Sequence, residues 1–412
     1  MSVPPILGVV PTRALVDEKF KVLVENLPPG FPVTIHSLHQ SEDRDYWEAY
    51  GHYISDHRGT VSVSEDFSFG GIYTGKEPMG LLWSMHPVPG SRKGLRLRKM
   101  NVCNPMLVNI SVYREHEGVR DQAPLASALT ERWYILQESR GLISERKEYK
   151  GPCPGPFPGV LDLWGGGGGL MEYCSALLAS RGYAALKRVY SVTSLMLMYF
   201  KEVIRTPFFY FLVSVSAQTA FDIIKHHPEV MPDRVGLIGK RIGAVVTNYL
   251  TAESTVIKVG IRSFISRSCF SFSLELAAVI YLPWNEELGV LGLFPVGKIN
   301  CPMLLVNGHD DQNWPTVEYA EQVSKHLMMR KGHLLTRVEY PDAGHLIEMP
   351  FSPHFRATRF TVATTKEKVT LLWGGQTKPH SDAQEDSWRK ILSFLWQHLI
   401  RLTSRTVGRL IK

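Results

Sequence analysis

Arg-Val-Gly-Leu-Ile-Gly-Lys-Arg-Ile-Gly, residues 234–243, is the stretch that decides the fold of this chain. Its first six residues are typical of a short buried strand. The last five, from Gly239 to Gly243, have the G-x-S-x-G spacing of a strand–turn–helix corner that presents a nucleophile. The glycines allow the sharp turn, but Arg241 occupies the middle position. The stretch therefore predicts the frame of an esterase-like site without its usual nucleophile.

Around this corner, from residue 159 onward, the chain alternates strand-like and helix-like segments. The pattern predicts strands at 160–164, 183–186, 235–238, 256–261, 303–306 and 335–340. Between and after them it predicts helices at 170–181, 217–227, 242–251, 317–329 and 387–402. Such alternation indicates a mostly parallel sheet that is flanked by helices on both faces.

The first 140 residues have a different pattern, in which short strand-like segments alternate with Pro- and Gly-rich turns. Short strands at this spacing predict an antiparallel β-sandwich. Residues 151–159 contain four prolines and three glycines, a composition that excludes a helix or a central strand. We therefore predict a β-sandwich domain at 1–140, a linker at 141–158 and an α/β domain at 159–412.

The composition limits the classes of function. The net charge of +7 is compatible with an anionic ligand, but a solvated surface is the preferred explanation, and we expect no nucleic-acid partner. Five cysteines without a C-x-x-C pair favour a reducing, intracellular compartment and argue against a disulfide framework or a zinc site. The apolar segment 206–221 is shorter than the ~20 residues of a membrane span. The basic run 92–99 is interpreted as a solvated strand face or loop.

Five consecutive glycines follow the predicted strand 160–164 directly. A loop without side chains can bring its backbone N–H groups close to an oxyanion that forms during acyl transfer. The residue after the nucleophile position contributes a further N–H group in such corners. The predicted oxyanion-binding residues are Gly165, Gly166, Gly167, Gly168 and Ile242.

Acidic residues and a histidine follow two later strands. Asp310 and Asp311 come after the strand at 303–306, and His345 comes after the strand at 335–340. Nucleophile position, acid and histidine thus occur in the chain order of α/β-hydrolases. In that arrangement the carboxylate holds the imidazole in one tautomer. We predict a hydrogen bond of roughly 2.7–3.2 Å between His345 and one of the two aspartates, both of which are candidates.

The chain resembles the acyl-CoA thioesterases that are related to bile acid-CoA:amino acid N-acyltransferase. The matching stretches include Asp-Asp-Gln-Asn-Trp at 310–314, Leu-Trp-Gly-Gly at 372–375 and Pro-His at 379–380, with others at 77–83, 155–159, 166–173, 227–230, 235–239 and 340–350. The resemblance implies a β-sandwich joined to an α/β-hydrolase domain and a coenzyme A thioester as substrate. It also implies Asp311 as the acid, His345 as the base, a Ser or Cys nucleophile, and no metal or redox cofactor.

The chain departs from the family's pattern at its nucleophile, which falls on Arg241, and across residues 187–217 and 263–300. A degraded gene copy or a mistaken gene model would explain these departures, and the alternative is an inactive relative. The transcript sequence across codons 185–300 would reveal a splice or frame error. The functional hypotheses are an acyl-CoA thioesterase with impaired hydrolysis, a non-catalytic acyl-CoA-binding pseudoenzyme, and an N-acyltransferase. We expect a monomer in the cytosol, with the peroxisome and the mitochondrion left open.

Overall fold

The computed structural model describes residues 3–116, 122–135, 148–149, 155–165, 171–190, 218–265, 296–361 and 367–401. The chain divides into two compact units. The first comprises Met1–Ile135 and Glu348–Phe355, and the second comprises Leu136–Ile347 and Arg356–Lys412. Two segments, 187–217 and 263–300, depart from the family's pattern. Within them, residues 191–217 and 266–295 lie outside the described residues.

The first unit contains two sheets. A six-stranded sheet has the order β2-β9-β8-β4-β5-β7 and is antiparallel apart from the β2–β9 pair, and a three-stranded antiparallel sheet has the order β1-β3-β6. The strands are β1 (Ile6–Val10), β2 (Arg13–Leu15), β3 (Lys21–Glu25), β4 (Pro32–Gln40), β5 (Tyr46–Ile54), β6 (Val61–Ser62), β7 (His86–Pro87), β8 (Met106–Arg114) and β9 (Ala126–Trp133). One short helix, α1 (Gly80–Trp83), lies between β6 and β7.

Alternating side chains explain how these strands contribute to a core. In β8, Met106, Val108 and Ile110 are buried while Leu107 and Asn109 between them are exposed. Because successive side chains of a strand point to opposite faces, one face of β8 packs inward. The buried residues of both sheets belong to one apolar cluster. The sandwich packing that the sequence predicts for these sheets stays a prediction.

The basic run 92–99 is an irregular loop, but the interpretation of its side chains as solvated is wrong for two of them. Arg96 is almost fully buried and forms an ion pair with Glu348, which belongs to the same unit although it lies far along the chain. Lys99 pairs with Glu42 at 2.7 Å. A buried guanidinium needs a carboxylate partner, and sequence patterns do not show a partner that is 252 residues away.

The second unit is built on a seven-stranded sheet with the order β10-β12-β11-β13-β14-β15-β16. Six of these strands are parallel, and β10 pairs antiparallel with β12 at the edge. They are β10 (Glu148–Tyr149), β11 (Phe157–Gly165), β12 (Ala184–Tyr190), β13 (Val230–Arg241), β14 (Ile257–Ile265), β15 (Met303–Gly308) and β16 (Leu335–Tyr340). The predicted parallel sheet is confirmed. However, β10 and the first two residues of β11 lie within residues 141–158, which the sequence predicts as a linker, and β11 accommodates Pro158 at a register shift.

Helices and a hairpin complete this unit. The helices are α2 (Tyr173–Ser180), α3 (Ile242–Glu253), α4 (Thr316–Lys331) and α5 (Thr377–Leu395), and residues 218–225 are also helical. Strands β17 (Ala357–Thr361) and β18 (Lys368–Leu372) form the hairpin, which the sequence did not predict. Helix α5 begins ten residues before its predicted start, with Pro379 in its first turn, where a missing N–H is tolerated.

No helix in the described part of the chain has both the length and the apolar composition of a membrane span. Residues 206–217 of the apolar segment lie outside that part.

Helix α5 contacts the end of β16 through a partly exposed network of hydrogen bonds and ion pairs around Asp386. Its carboxylate accepts hydrogen bonds from Tyr340 Oη at 2.7 Å and from Arg389 at 2.5 Å, and it pairs with Lys390 at 2.5 Å. Desolvation alone would raise the pKa of Asp386, but the hydrogen bonds from Lys390, Tyr340 and Arg389 outweigh it and lower the pKa to about 2. The folded state therefore favours the ionised carboxylate.

We expect Asp386→Asn to lower the free energy of unfolding by about 1 kcal/mol at pH 7, because it removes the charge from a partly exposed network. Because folding lowers the pKa of Asp386, its ionised carboxylate stabilises the folded state fully at pH values above the unfolded pKa of 3.8. This stabilisation is lost as the pH falls through the folded pKa of about 2. Urea unfolding at several pH values below 5 should show the difference between parent and variant shrinking. Asp382→Asn, which breaks an exposed pair on the same helix, is the control. Equal stabilities of parent and Asp386→Asn at pH 7 would contradict the account.

Candidate active site

The corner predicted at 239–243 exists, because β13 ends at Arg241 and α3 begins at Ile242. A Cβ added to Gly239 would lie 2.3 Å from Thr247 Oγ1 of α3, and one added to Gly243 would lie 2.1 Å from the carbonyl oxygen of Leu163 on β11. Real Cβ atoms do not approach other atoms this closely, so the helix can pack onto these strands only with glycine at both positions.

The predicted oxyanion-binding residues belong to two segments, the glycine loop after β11 and the start of α3. Both segments begin at the same edge of the sheet. Trp164 of β11 is in register with Lys240 of β13, so Gly165 and Arg241 follow at the adjacent carboxyl ends of these strands. Open α/β sheets place their ligands at this edge. Gly166, Gly167 and Gly168 lie outside the described residues, as do the side chains of Arg241 and Ile242. Their roles stay predictions. We also predict a contact between Arg241 and Asp311, because a guanidinium that points into the site needs a carboxylate partner.

Lys240, next to the nucleophile position, is a residue that the sequence analysis treated only as part of the frame. Its side chain is buried, and its Nζ lies 6.0 Å from the centre of the Trp164 ring, within the range of a cation–π contact. Within the described ranges, Nζ has no hydrogen-bond partner. Only the alternation of side chains along β13 could have indicated that this lysine points into the protein.

The predicted pair of an acid and His345 is called the relay below. Its acid is held by a turn that follows β15. Asp311 Oδ1 accepts the backbone N–H groups of Asn313 and Trp314, both at 2.9 Å. Its Oδ2 lies 2.8 Å from Nδ1 of His345. Because carboxylate oxygens accept these bonds, Nδ1 is the donating nitrogen, and Nε2 is the basic nitrogen of the ring. The side chains of Asp311 and His345 are 3% and 0% exposed, so the bond is shielded from water.

The geometry distinguishes between the two candidate aspartates. The predicted hydrogen bond to His345 is confirmed for Asp311. Asp310 instead accepts the backbone N–H of Gly375 at 2.8 Å and lies 3.4 Å from Arg356. The turn after β15 therefore directs adjacent carboxylates to different loops, and only one of them reaches the histidine ring.

A segment that follows β18 completes the surroundings of His345. The ring of His345 stacks on that of Trp373, with ring centroids 5.6 Å apart and planes inclined by 21°. The backbone N–H of His345 donates to the carbonyl oxygen of Trp373 at 2.7 Å. Residues 372–375 carry part of the family resemblance, but the sequence predicts no role for them. The structure shows that they hold both members of the relay, since Gly374 forms a β-bridge with Asp311.

Gly374 has a φ of +70°, and a Cβ at this position would lie 1.8 Å from the carbonyl oxygen of Asp310. An added methyl group must displace the loop that carries Asp311. With the acid loop displaced, the relay bond would lengthen or break.

We expect Gly374→Ala to destabilise the protein by about 2–4 kcal/mol, since backbone strain and a steric clash act together. Gly182→Ala is a matched control, because Gly182 has a φ of +91° in the same unit but open space around the added methyl group. It should cost only about 1–2 kcal/mol, the strain alone. Urea unfolding of both variants measures the difference, and equal losses of stability would show that the clash at Gly374 is relieved without cost.

Two family models match this chain. "Acyl-CoA thioester hydrolase/BAAT N-terminal region" covers residues 17–140, and "BAAT / Acyl-CoA thioester hydrolase C terminal" covers residues 283–401. The second match includes both the acid and the histidine of the relay.

Similar proteins match over nearly the whole length. Bile acid-CoA:amino acid N-acyltransferase of Mus musculus is 32% identical over 438 residues, which cover 96% of this chain and 98% of the relative. Acyl-coenzyme A thioesterase 1 of Mus musculus is 28% identical over 94% of this chain and 95% of the relative. Peroxisomal succinyl-coenzyme A thioesterase of the same organism is 29% identical over 98% and 99%.

Among solved structures, that of 2,6-dihydroxy-pseudo-oxynicotine hydrolase covers 63% of this chain and 67% of its own at 14% identity, with a TM-score of 0.40, a likeness too weak to argue from. The full-length similarity at 32% identity is decisive, and the chain belongs to the family of acyl-CoA thioesterases and bile acid-CoA:amino acid N-acyltransferases.

Proposed function

We propose that this protein binds acyl-CoA thioesters in a thioesterase-type site whose hydrolytic step is impaired. The observation that carries the proposal is the buried 2.8 Å bond between Asp311 and His345, in a chain that has Arg241 at the strand–helix corner. Acid and base are thus present in the geometry of a relay, whereas the position for the nucleophile holds a guanidinium. The family supports a coenzyme A thioester as the ligand.

The chemistry of the missing step follows from the side chain at position 241. Hydrolysis through an acyl-enzyme needs a hydroxyl or thiol that gives its proton to the histidine and attacks the thioester carbonyl carbon. A guanidinium carries five N–H donors and no acceptor, and it stays protonated in proteins. It can therefore polarise a carbonyl oxygen but cannot attack the carbon. Without the nucleophile, only binding and oxyanion stabilisation remain, so hydrolysis should be slow.

The proposed ligand contacts use the predicted backbone donors. The N–H groups of the loop at Gly165, Gly166, Gly167 and Gly168 and that of Ile242 would face the thioester oxygen. Coenzyme A is part of the substrate, so the proposal includes no metal and no further cofactor. The proposed organisation is a β-sandwich at 1–140 and an α/β-hydrolase domain at 159–412, in a monomer, with the linker predicted at 141–158 shortened by β10 and the start of β11.

The compartment is also part of the proposal. We expect the cytosol, while the names of relatives, which include a peroxisomal and a mitochondrial thioesterase, keep both organelles open for this chain.

A second candidate is acyl transfer to an amine. It is favoured by the similarity to a bile acid-CoA:amino acid N-acyltransferase, at 32% identity over almost the whole chain. Both reactions use the same acyl-enzyme and differ in the acceptor, which is water in one case and the amine of an amino acid in the other. Product analysis in the presence of glycine separates free fatty acid from N-acyl glycine.

We expect the unmodified protein to bind palmitoyl-CoA and to release coenzyme A no faster than His345→Ala does. Arg241→Ser should restore hydrolysis in part, because it supplies a hydroxyl at the corner and removes the cation. Thiol release from palmitoyl-CoA, measured with a thiol reagent, follows the reaction, and calorimetry below the micellar concentration of the ligand measures binding.

Arg241→Ala is the matched control, since it also removes the cation but supplies no nucleophile. Activity in Arg241→Ser that is lost in Arg241→Ser/His345→Ala would support the proposal. Hydrolysis by the unmodified protein that His345→Ala abolishes would show that another residue acts as the nucleophile. Failure of both the parent and Arg241→Ala to bind palmitoyl-CoA would refute the acyl-CoA site.

A further inference from the structure

His380, near the start of α5, contacts the loop of His345 from both sides. The backbone N–H of Gly344 donates to Nδ1 of His380 at 3.0 Å. The Nε2 of His380 donates to the carbonyl oxygen of Leu346 at 2.7 Å. One imidazole ring therefore bonds to the two residues that flank His345 in the chain. The ring of His380 is itself 1% exposed.

The partners determine the protonation state that this contact requires. A backbone N–H can only donate, so Nδ1 of His380 must accept, and a carbonyl oxygen can only accept, so Nε2 must carry the proton. The contact therefore needs a neutral imidazole in a single tautomer. In a charged ring Nδ1 would also carry a proton, so it could not accept the hydrogen bond from the N–H of Gly344.

Three bonds together restrict the backbone at His345. In addition to the two bonds of His380, the N–H of His345 donates to the carbonyl oxygen of Trp373 at 2.7 Å. The bond of the His345 N–H holds the peptide group before its Cα, and the two bonds of His380 hold the peptide groups that lie one residue further out on each side. Together they restrict the direction in which the side chain of His345 leaves the backbone. The Nδ1 of that side chain must arrive within hydrogen-bond distance of Asp311, which is separately fixed by its turn.

The first turn of α5 makes a second contact with the same loop. The backbone N–H of Gln376 donates to the carbonyl oxygen of Asp342 at 2.7 Å, and the side-chain amide of Gln376 donates to Asp342 Oδ1 at 3.2 Å. Asp342 has a φ of +57°. The start of the helix thus holds the loop at its beginning through Gln376 and around His345 through His380.

We infer that His380 is a positioning residue of the relay, which keeps the Nδ1–H of His345 directed at Asp311 by tying down the backbone on both sides of it. Both ring nitrogens of His380 bond to backbone atoms of the loop, so its action on the reaction passes through His345. The inference rests on the proposed function only in taking His345 as the base, because the geometry that it explains exists without any substrate.

The direct test is NMR of the full chain labelled with ¹⁵N-histidine. A hydrogen bond from an imidazole Nδ1–H to a buried carboxylate gives a far-downfield proton resonance, and His345→Gln assigns it by removing it. We expect His380→Phe, which keeps a ring but loses both bonds, to broaden or abolish this resonance. Ile391→Ala is the control, because it weakens the packing of a buried residue of α5 that is three turns away from the loop. It should keep the resonance at a comparable loss of thermal stability.

Two further variants keep the inference testable if His380→Phe fails to fold. His380→Asn retains an acceptor near the position of Nδ1, and His380→Gln retains a donor near that of Nε2. Each should keep a weakened, shifted resonance of His345, since one of the two bonds survives. A sharp resonance at the parent position in all variants of His380 that fold would overturn the inference, as would its equal loss in Ile391→Ala.

The kinetic test uses the Arg241→Ser background. There, His380→Asn should lower kcat for palmitoyl-CoA by roughly tenfold or more while KM changes less than about twofold, because a misplaced base slows chemistry but not binding. An unchanged kcat would contradict a positioning role. If Arg241→Ser shows no hydrolysis, the restoration expected under the proposed function has failed, and the NMR experiment decides the role of His380 independently.

Discussion

The carboxylate of Asp311 is the group on which the candidate site depends. It is nearly buried, and it accepts three hydrogen bonds, two from the backbone of its own turn and one from His345. Burial of a carboxylate is costly unless such bonds compensate for the lost water. The turn after β15 and the loop after β16 are therefore constrained together, because displacing either of them removes a partner from a buried charge. The segment after β18 holds both in place through the bridge of Gly374 to Asp311 and the bond of Trp373 to His345.

This constraint also explains why the relay can persist beside Arg241. The bonds that hold Asp311 and His345 come from loops at 308–316, 340–346 and 372–380, and none of those described involves the corner of β13 and α3. A substitution at the corner therefore leaves these bonds of the acid and the base in place. Lys240, which is buried against Trp164, shows that the corner itself holds a second cationic side chain.

The sequence was sufficient for those features that depend on local patterns. Apolar runs and their alternation with helices predicted β13, β15 and β16, and the glycine spacing predicted the corner at Gly239 and Gly243. The order of Asp and His predicted the relay. The residue pattern alone could not separate Asp310 from Asp311, since adjacent residues after one strand differ only in the turn geometry that directs them. The family's spacing selected Asp311, which the hydrogen bond supports.

Other features depend on contacts between distant parts of the chain. His380 lies 36 residues from Gly344, to which it bonds, and no periodicity connects the two. The β17–β18 hairpin, the stacking of Trp373 on His345 and the ion pair of Arg96 with Glu348 have the same origin in long-range packing.

The central claim is that this chain has a relay without a nucleophile, and the intact mass of the protein after incubation with palmitoyl-CoA tests it most directly. The unmodified protein should gain no acyl group, whereas Arg241→Cys should gain one palmitoyl group as a thioester that hydroxylamine removes. A single hydroxylamine-sensitive palmitoyl group on the unmodified protein, absent from His345→Ala, would contradict the claim.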